Sequence, residues 1–153
     1  MKFAKLDEKT PHVCFKYEVP PSSGSDDELP RRVASQLRDR FSSVRTMRTW
    51  FSGPWGMILG AGEESYTAAL GRSRFGKGEW ILVVTPARTA GLFDRVFQRR
   101  IPSNVSDVWG VCREIHESLV VISGITDVRW YFEGSRSQSP AVATPDELPW
   151  PST

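Results

Sequence analysis

The sequence predicts an α+β protein: a two-layer sandwich with a mainly antiparallel sheet of about five strands and two helices on one face, in the order β-α-β-β-β-α-β. Three observations carry this expectation. Val105, Val108, Cys112, Ile115, Leu119 and Ile122 recur at steps of three and four, the apolar stripe of a helix resting on a core. After Gly124 the pattern changes to period two, with Val128, Trp130 and Phe132 on one side and Asp127, Arg129 and Tyr131 on the other. Between the first helix and this one, Phe75-Gly76-Lys77-Gly78 separates two strand-like runs as a hairpin connection does.

Taken in order, residues 1–10 are charged and have no periodicity. From His12 to Val19 the chain alternates, with Val13, Phe15, Tyr17 and Val19 against His12, Cys14, Lys16 and Glu18, a half-buried strand. The Pro, Ser, Gly and Asp residues from Pro20 to Asp27 make a loop by composition. Asp27 is placed to cap a helix, with Glu28 in its first turn and Pro30 where a missing N–H costs little. Val33, Leu37, Phe41 and Val44 read as its buried stripe, and Arg31, Arg38 and Arg45 as a second face. A strand near Arg48–Ser52, a kink at Gly53-Pro54 and a strand at Trp55–Leu59 follow. Ser65–Arg74 and Glu79–Thr85 form the hairpin, and the second arm is apolar on both faces, which places it centrally. Gly124 is suited to the left-handed conformation that stops the long helix. A ferredoxin-like order with an added hairpin accommodates this sequence of elements. Residues 1–133 read as a single domain, and 134–153, rich in Ser, Pro, Thr and Ala, as a disordered or surface-draped tail.

A chain of 153 residues is long enough to bury about two-thirds of its unfolded surface. No apolar run approaches the roughly 18 residues that span a bilayer, and the charged first residues lack a secretory pattern, so a cytoplasmic, bacterial-type protein is expected with no membrane contact. A net charge of +2 permits an acidic partner without demanding one. Two cysteines, Cys14 and Cys112, make no disulfide framework and read as buried thiols.

Most catalytic patterns are absent from the sequence. Gly60-Ala61-Gly62 and Gly76-Lys77-Gly78 lack the spacing of phosphate-cradling loops and read as turns. The only histidines, His12 and His116, are not brought to a cysteine by any local pattern, so no nucleophile–base pair is assigned. His12 with Cys14 on a strand and Cys112 with His116 on a helix would make a tetrahedral zinc site if the two faces met. The apolar set of the first strand should face the helices, which turns His12 and Cys14 away, so neither metal nor cofactor is expected.

Two surfaces remain. Gly91 to Arg100, drawn as a helix, separates Leu92, Phe93, Val96 and Phe97 from Arg95, Arg99 and Arg100. Aromatic and arginine residues anchor protein interfaces, so Phe93, Arg95, Phe97, Arg99 and Arg100, with Trp55 in its glycine-proline bend, are the expected partner-binding residues. Arg31, Arg38 and Arg45 beside Trp50 are the ingredients of an RNA or single-stranded DNA platform, interrupted by Asp26, Asp27, Glu28 and Asp39. The leading expectation is a non-catalytic protein working by protein–protein contact, as an inhibitor, immunity-type protein or adaptor. Nucleic-acid binding is the first alternative, and an enzyme or small-molecule binder whose site assembles only in three dimensions is the second.

Overall fold

A computed structural model describes residues 10–18, 28–48, 55–61, 64–73, 78–86, 105–133 and 139–150. The elements are β1 (Thr10–Tyr17), α1 (Glu28–Arg38), β2 (Ser43–Arg48), β3 (Trp55–Ala61), β4 (Glu64–Arg72), β5 (Glu79–Pro86), α2 (Val105–Val120) and β6 (Ile125–Glu133), with a 3₁₀ turn at Pro145–Glu147. The six strands form one antiparallel sheet in the order β2-β3-β4-β5-β1-β6. The α+β class is as expected, with six strands where about five were counted. Without β2 and β3 the remaining order, β6-β1-β5-β4, is ferredoxin-like, and β2 with β3 is the added hairpin.

Both helices cover the same side. Val13, Phe15 and Tyr17 of β1 share one core with Met57 and Leu59 of β3, Tyr66, Ala68 and Leu70 of β4, Trp80, Leu82 and Val84 of β5, and Trp130 and Phe132 of β6. Onto them pack Val33, Ala34 and Leu37 from α1 and Val108, Cys112, Ile115 and Leu119 from α2. Each such aliphatic or aromatic side chain contributes about 1.5–3 kcal/mol relative to exposure. From Val108 to Ile122 the predicted stripe is the buried face, joined by Val111 and by Ser118, whose hydroxyl donates to the Glu114 carbonyl at 2.8 Å.

The first helix is shorter than its pattern. It ends at Arg38, and the amides of Arg40 and Phe41 both close onto the Leu37 carbonyl. Ser42 then donates its amide (3.0 Å) and its hydroxyl (2.8 Å) to the Gly60 carbonyl, and the chain continues as β2. Serine and the β-branched Val44 and Thr46 gain less from a helix than from a strand ladder. Val44, expected in the helix stripe, pairs with Leu59, and Arg45 pairs with Ile58. The strand expected near Arg48–Ser52 is therefore Ser43–Arg48, and residues 49–52 of that expectation lie outside the described residues.

Ion pairs tie the two helices. Arg40, just beyond α1, meets Glu114 at 3.1 Å and Glu117 at 2.6 Å on α2. Arg32 donates to the Tyr17 hydroxyl at 3.1 Å and to the Ser123 carbonyl at 3.2 Å, joining α1 to β1 and to the turn after α2.

That turn depends on Gly124, at φ +95°, whose carbonyl receives the Glu18 amide at 3.0 Å. A β-carbon there would lie 3.0 Å from the Glu18 carbonyl oxygen and 3.2 Å from the Tyr17 ring. Strained φ and close backbone contact act together, so Gly124→Ala is expected to lower unfolding free energy by about 2 kcal/mol in chemical denaturation.

Candidate functional site

Helices cover one face of the sheet, and the chemistry collects on the other. Strand pairing lays that outer face out in rows. Arg45, Ile58, Thr67 and Thr85 lie side by side across β2, β3, β4 and β5. The next row runs Gly56, Ala69, Val83, His12 and Tyr131, and the one after it Gly71, Ile81, Cys14 and Arg129. Its centre is apolar and half-exposed, formed by Ile58, Ala69, Ile81 and Val83 with Thr67 and Thr85. The alternation of β1 predicts His12 and Cys14 on a solvated face. Both are buried, at 7% and 8% exposure, so β1 is closed on both sides along this stretch.

A polar cluster borders the apolar centre along β1 and β6. The His12 ring stacks on Tyr131 with centroids 5.3 Å apart. Its Nδ1 donates to the Thr10 carbonyl at 2.8 Å, and its Nε2 meets the Glu133 carboxylate at 3.1 Å. The Cys14 thiol donates to the Tyr131 hydroxyl at 3.6 Å. Arg129 bridges Glu79 (3.5 Å) and Asp127 (3.6 Å), and Lys16 reaches Asp127 at 3.8 Å.

A bulge in β6 positions the charged end of this cluster. Cys14 pairs with Arg129 and Lys16 with Thr126, two steps in β1 against three in β6. The additional residue is accommodated at Asp127, which takes φ +54°, a conformation aspartate tolerates better than most. Beyond the bulge, Ile125 is brought opposite Tyr17 and packs on the helix-side core.

The electrostatics favour neutral, unreactive forms. Burial pushes the Cys14 thiol above its ordinary range, an effect the Tyr131 hydrogen bond partly opposes and the nearby Glu79 carboxylate reinforces. Burial also raises the Tyr131 hydroxyl, aided by its contact with Cys14. A thiol kept protonated is a poor nucleophile, so the cluster is equipped to hold orientation and shape.

The residues singled out from sequence fall in different places. Cys112 is in the core beneath α2, where burial raises its thiol, and His116 accepts from the Trp130 indole N–H at 3.0 Å on the helix side. His12 and Cys14 face the opposite side of the sheet, so the two pairs do not converge. Among the described residues no three His, Cys, Asp or Glu side chains are grouped to hold a metal ion. Arg31 and Arg38 are exposed on α1, but Arg45 is on β2 and belongs to the outer face with Ile58. The single arginine face is thereby split across the sheet, a correction that follows from the early end of α1. Trp55 starts β3 and packs, half-buried, against the core. Trp50, Phe93, Arg95, Phe97, Arg99 and Arg100 lie outside the described residues. Glu79, Tyr131 and Glu133 were not singled out beforehand. The alternation of β6 places Tyr131 on the side opposite Trp130, but no local pattern shows that β1 is its neighbour.

Among the described residues no helix is long and apolar enough to cross a membrane. Comparison with known proteins found no matching family model, no matching curated protein and no matching solved structure.

The burial of both thiols leads to a reactivity prediction. In the folded protein at neutral pH, Cys14 and Cys112 are expected to react with a small aromatic disulfide reagent at least about tenfold more slowly than in denaturant, followed by absorbance. Cys112, fully inaccessible, is expected to be the slower of the two.

Proposed function

We propose that the protein works by contact with another protein, without catalysis, as an inhibitor, immunity-type protein or adaptor does, and that it does so in the cytoplasm. The observation that carries this reading is the outer sheet face. Ile58, Ala69, Ile81 and Val83 form a half-exposed apolar centre on adjacent strands, rimmed by Arg45 on one side and by Lys16, Arg129 and Glu133 on the other. An apolar centre with a charged rim is the usual anatomy of a protein interface. The protonated thiol of Cys14 supports binding over nucleophilic chemistry. The occupant that fits is a folded protein with a flat apolar patch and charges of both signs around it. Nucleic-acid binding is less well supported, because Arg45 is separated by the sheet from Arg31 and Arg38. Two buried, unpaired thiols are in keeping with a reducing compartment.

The test uses the wild-type protein beside Ile58→Glu and Ala69→Arg, both facing outward and half-exposed. A partner recovered from the native extract by the wild type is expected to be lost, with affinity down at least about tenfold, in variants that melt like the wild type. Equal recovery by both variants would count against the outer face. Binding to a single-stranded RNA that falls steeply with salt would instead favour the nucleic-acid reading.

A further inference from the structure

On the other side of the molecule, residues 139–150 cross the free edge of β6 and run along α2. Val142 exchanges two backbone hydrogen bonds with Trp130, each 2.7 Å. Ser139 donates its amide to the Phe132 carbonyl at 2.9 Å and accepts the Phe132 amide on its hydroxyl at 2.6 Å. Further on, Asp146 accepts from the Trp109 indole at 2.9 Å and meets Arg113 at 3.6 Å. Leu148 is buried, and Trp150 stands edge-on to Phe132 with centroids 5.0 Å apart.

Trp130 is where this segment meets the core. Its backbone holds Val142, and its fully buried indole N–H donates to His116 Nδ1 at 3.0 Å. The accepting nitrogen must be unprotonated, so His116 is neutral with its proton on Nε2. An imidazolium carries N–H groups at both nitrogens, so no ring flip restores the acceptor. Protonation would set two donors against each other in a space where Trp130 cannot turn to water.

We propose that residues 139–150 are a pH-releasable strap: protonation of His116 breaks its hydrogen bond with Trp130 and frees the outer edge of β6. The groups facing His116 are the Trp130 indole from β6, Asp146 from the strap and Glu117 from α2 itself, with Arg113 one turn earlier already paired to Asp146. Asp146 and Glu117 favour the charged ring. Asp146 is more than half exposed and shared with Trp109 and Arg113, so its pull is screened. Burial outweighs both carboxylates and lowers the His116 pKa below the ordinary histidine value. The sign follows. With the folded value depressed, the stabilisation is complete above the ordinary histidine range and is lost as pH falls through the lower folded value. The strap is expected to give way before the sheet because it is a peripheral segment bonded to β6 at Trp130 and Phe132, whereas β4 and β5 are each paired along both sides. This reading is independent of the outer face, since the strap lies on the edge of β6 and on α2.

Amide exchange of the full-length chain tests it, with protection corrected for intrinsic exchange at about pH 7.5 and about pH 5, on either side of the histidine range. Protection at Val142 is expected to fall about tenfold at the lower pH, the effect of leaving one buried donor unpaired, while Ala68 and Leu82 stay protected. In His116→Gln the side-chain oxygen can still accept from the indole and does not titrate, so the fall should vanish. The imidazole nitrogen shifts of the wild type give a second measure, and their midpoint should coincide with the loss at Val142. Unchanged Val142 protection, an equal fall in His116→Gln, a fall shared with Ala68 and Leu82, or a midpoint apart from the His116 titration would each overturn the proposal.

Discussion

Two backbone ladders hold β1, one to β5 and one to β6. Because β5 and β6 are separated in the chain by α2, inserting β1 between them forces that helix to cross one face, where α1 also lies. Val13 and Phe15 then sit under both helices with no exposed surface. The same insertion brings the other face of β1 against the outward residues of β6, so His12 meets Tyr131 and Cys14 meets both Tyr131 and Arg129. Core and cluster are two consequences of one strand position.

The edges of the sheet are treated differently. At β6 the strap pairs with Trp130 and Phe132, and the bulge at Asp127 interrupts the ladder to β1 and carries two ion pairs. Bulges, charges and covering segments all discourage unwanted strand pairing. At β2 the edge strand is six residues long and carries the exposed Arg45. A short, charged edge serves the same purpose by electrostatic means. The half-exposed apolar centre of the outer face, Ile58, Ala69, Ile81 and Val83, lies on β3, β4 and β5, between the two edge strands.

The two histidines are used in contrasting ways. His116 is an acceptor for a buried indole, a role that requires the neutral ring. His12 lies between a carbonyl and a carboxylate, so each ring nitrogen has an acceptor before it. The two thiols are likewise divided, one wholly within the helix-side core and one among polar groups on the outer face. Each case shows residue type setting the range of chemistry and the surroundings selecting within it.

Local periodicity determined the α+β class, the buried face of α2, the left-handed Gly124, the central position of β5 and the inward side of β6, because each follows from residues within a few positions of one another. The same rule extended α1 too far: Phe41 and Val44 keep the helical spacing, and only the Ser42 hydrogen bonds to Gly60 turn the chain into β2. Pattern alone also could not place Arg45 on the outer face or reveal the extra residue at Asp127, since both depend on register with a neighbouring strand. Nor does composition show that Leu148 and Trp150 dock on the fold. The candidate site was the least legible part. His12 and Cys14 were visible as a pair, but Tyr131, Glu133 and Glu79 join them only across strand ladders between segments far apart in the chain. Which strands become neighbours is decided by burying the whole set of apolar faces together, and that is a property of the folded chain, not of any window of its sequence.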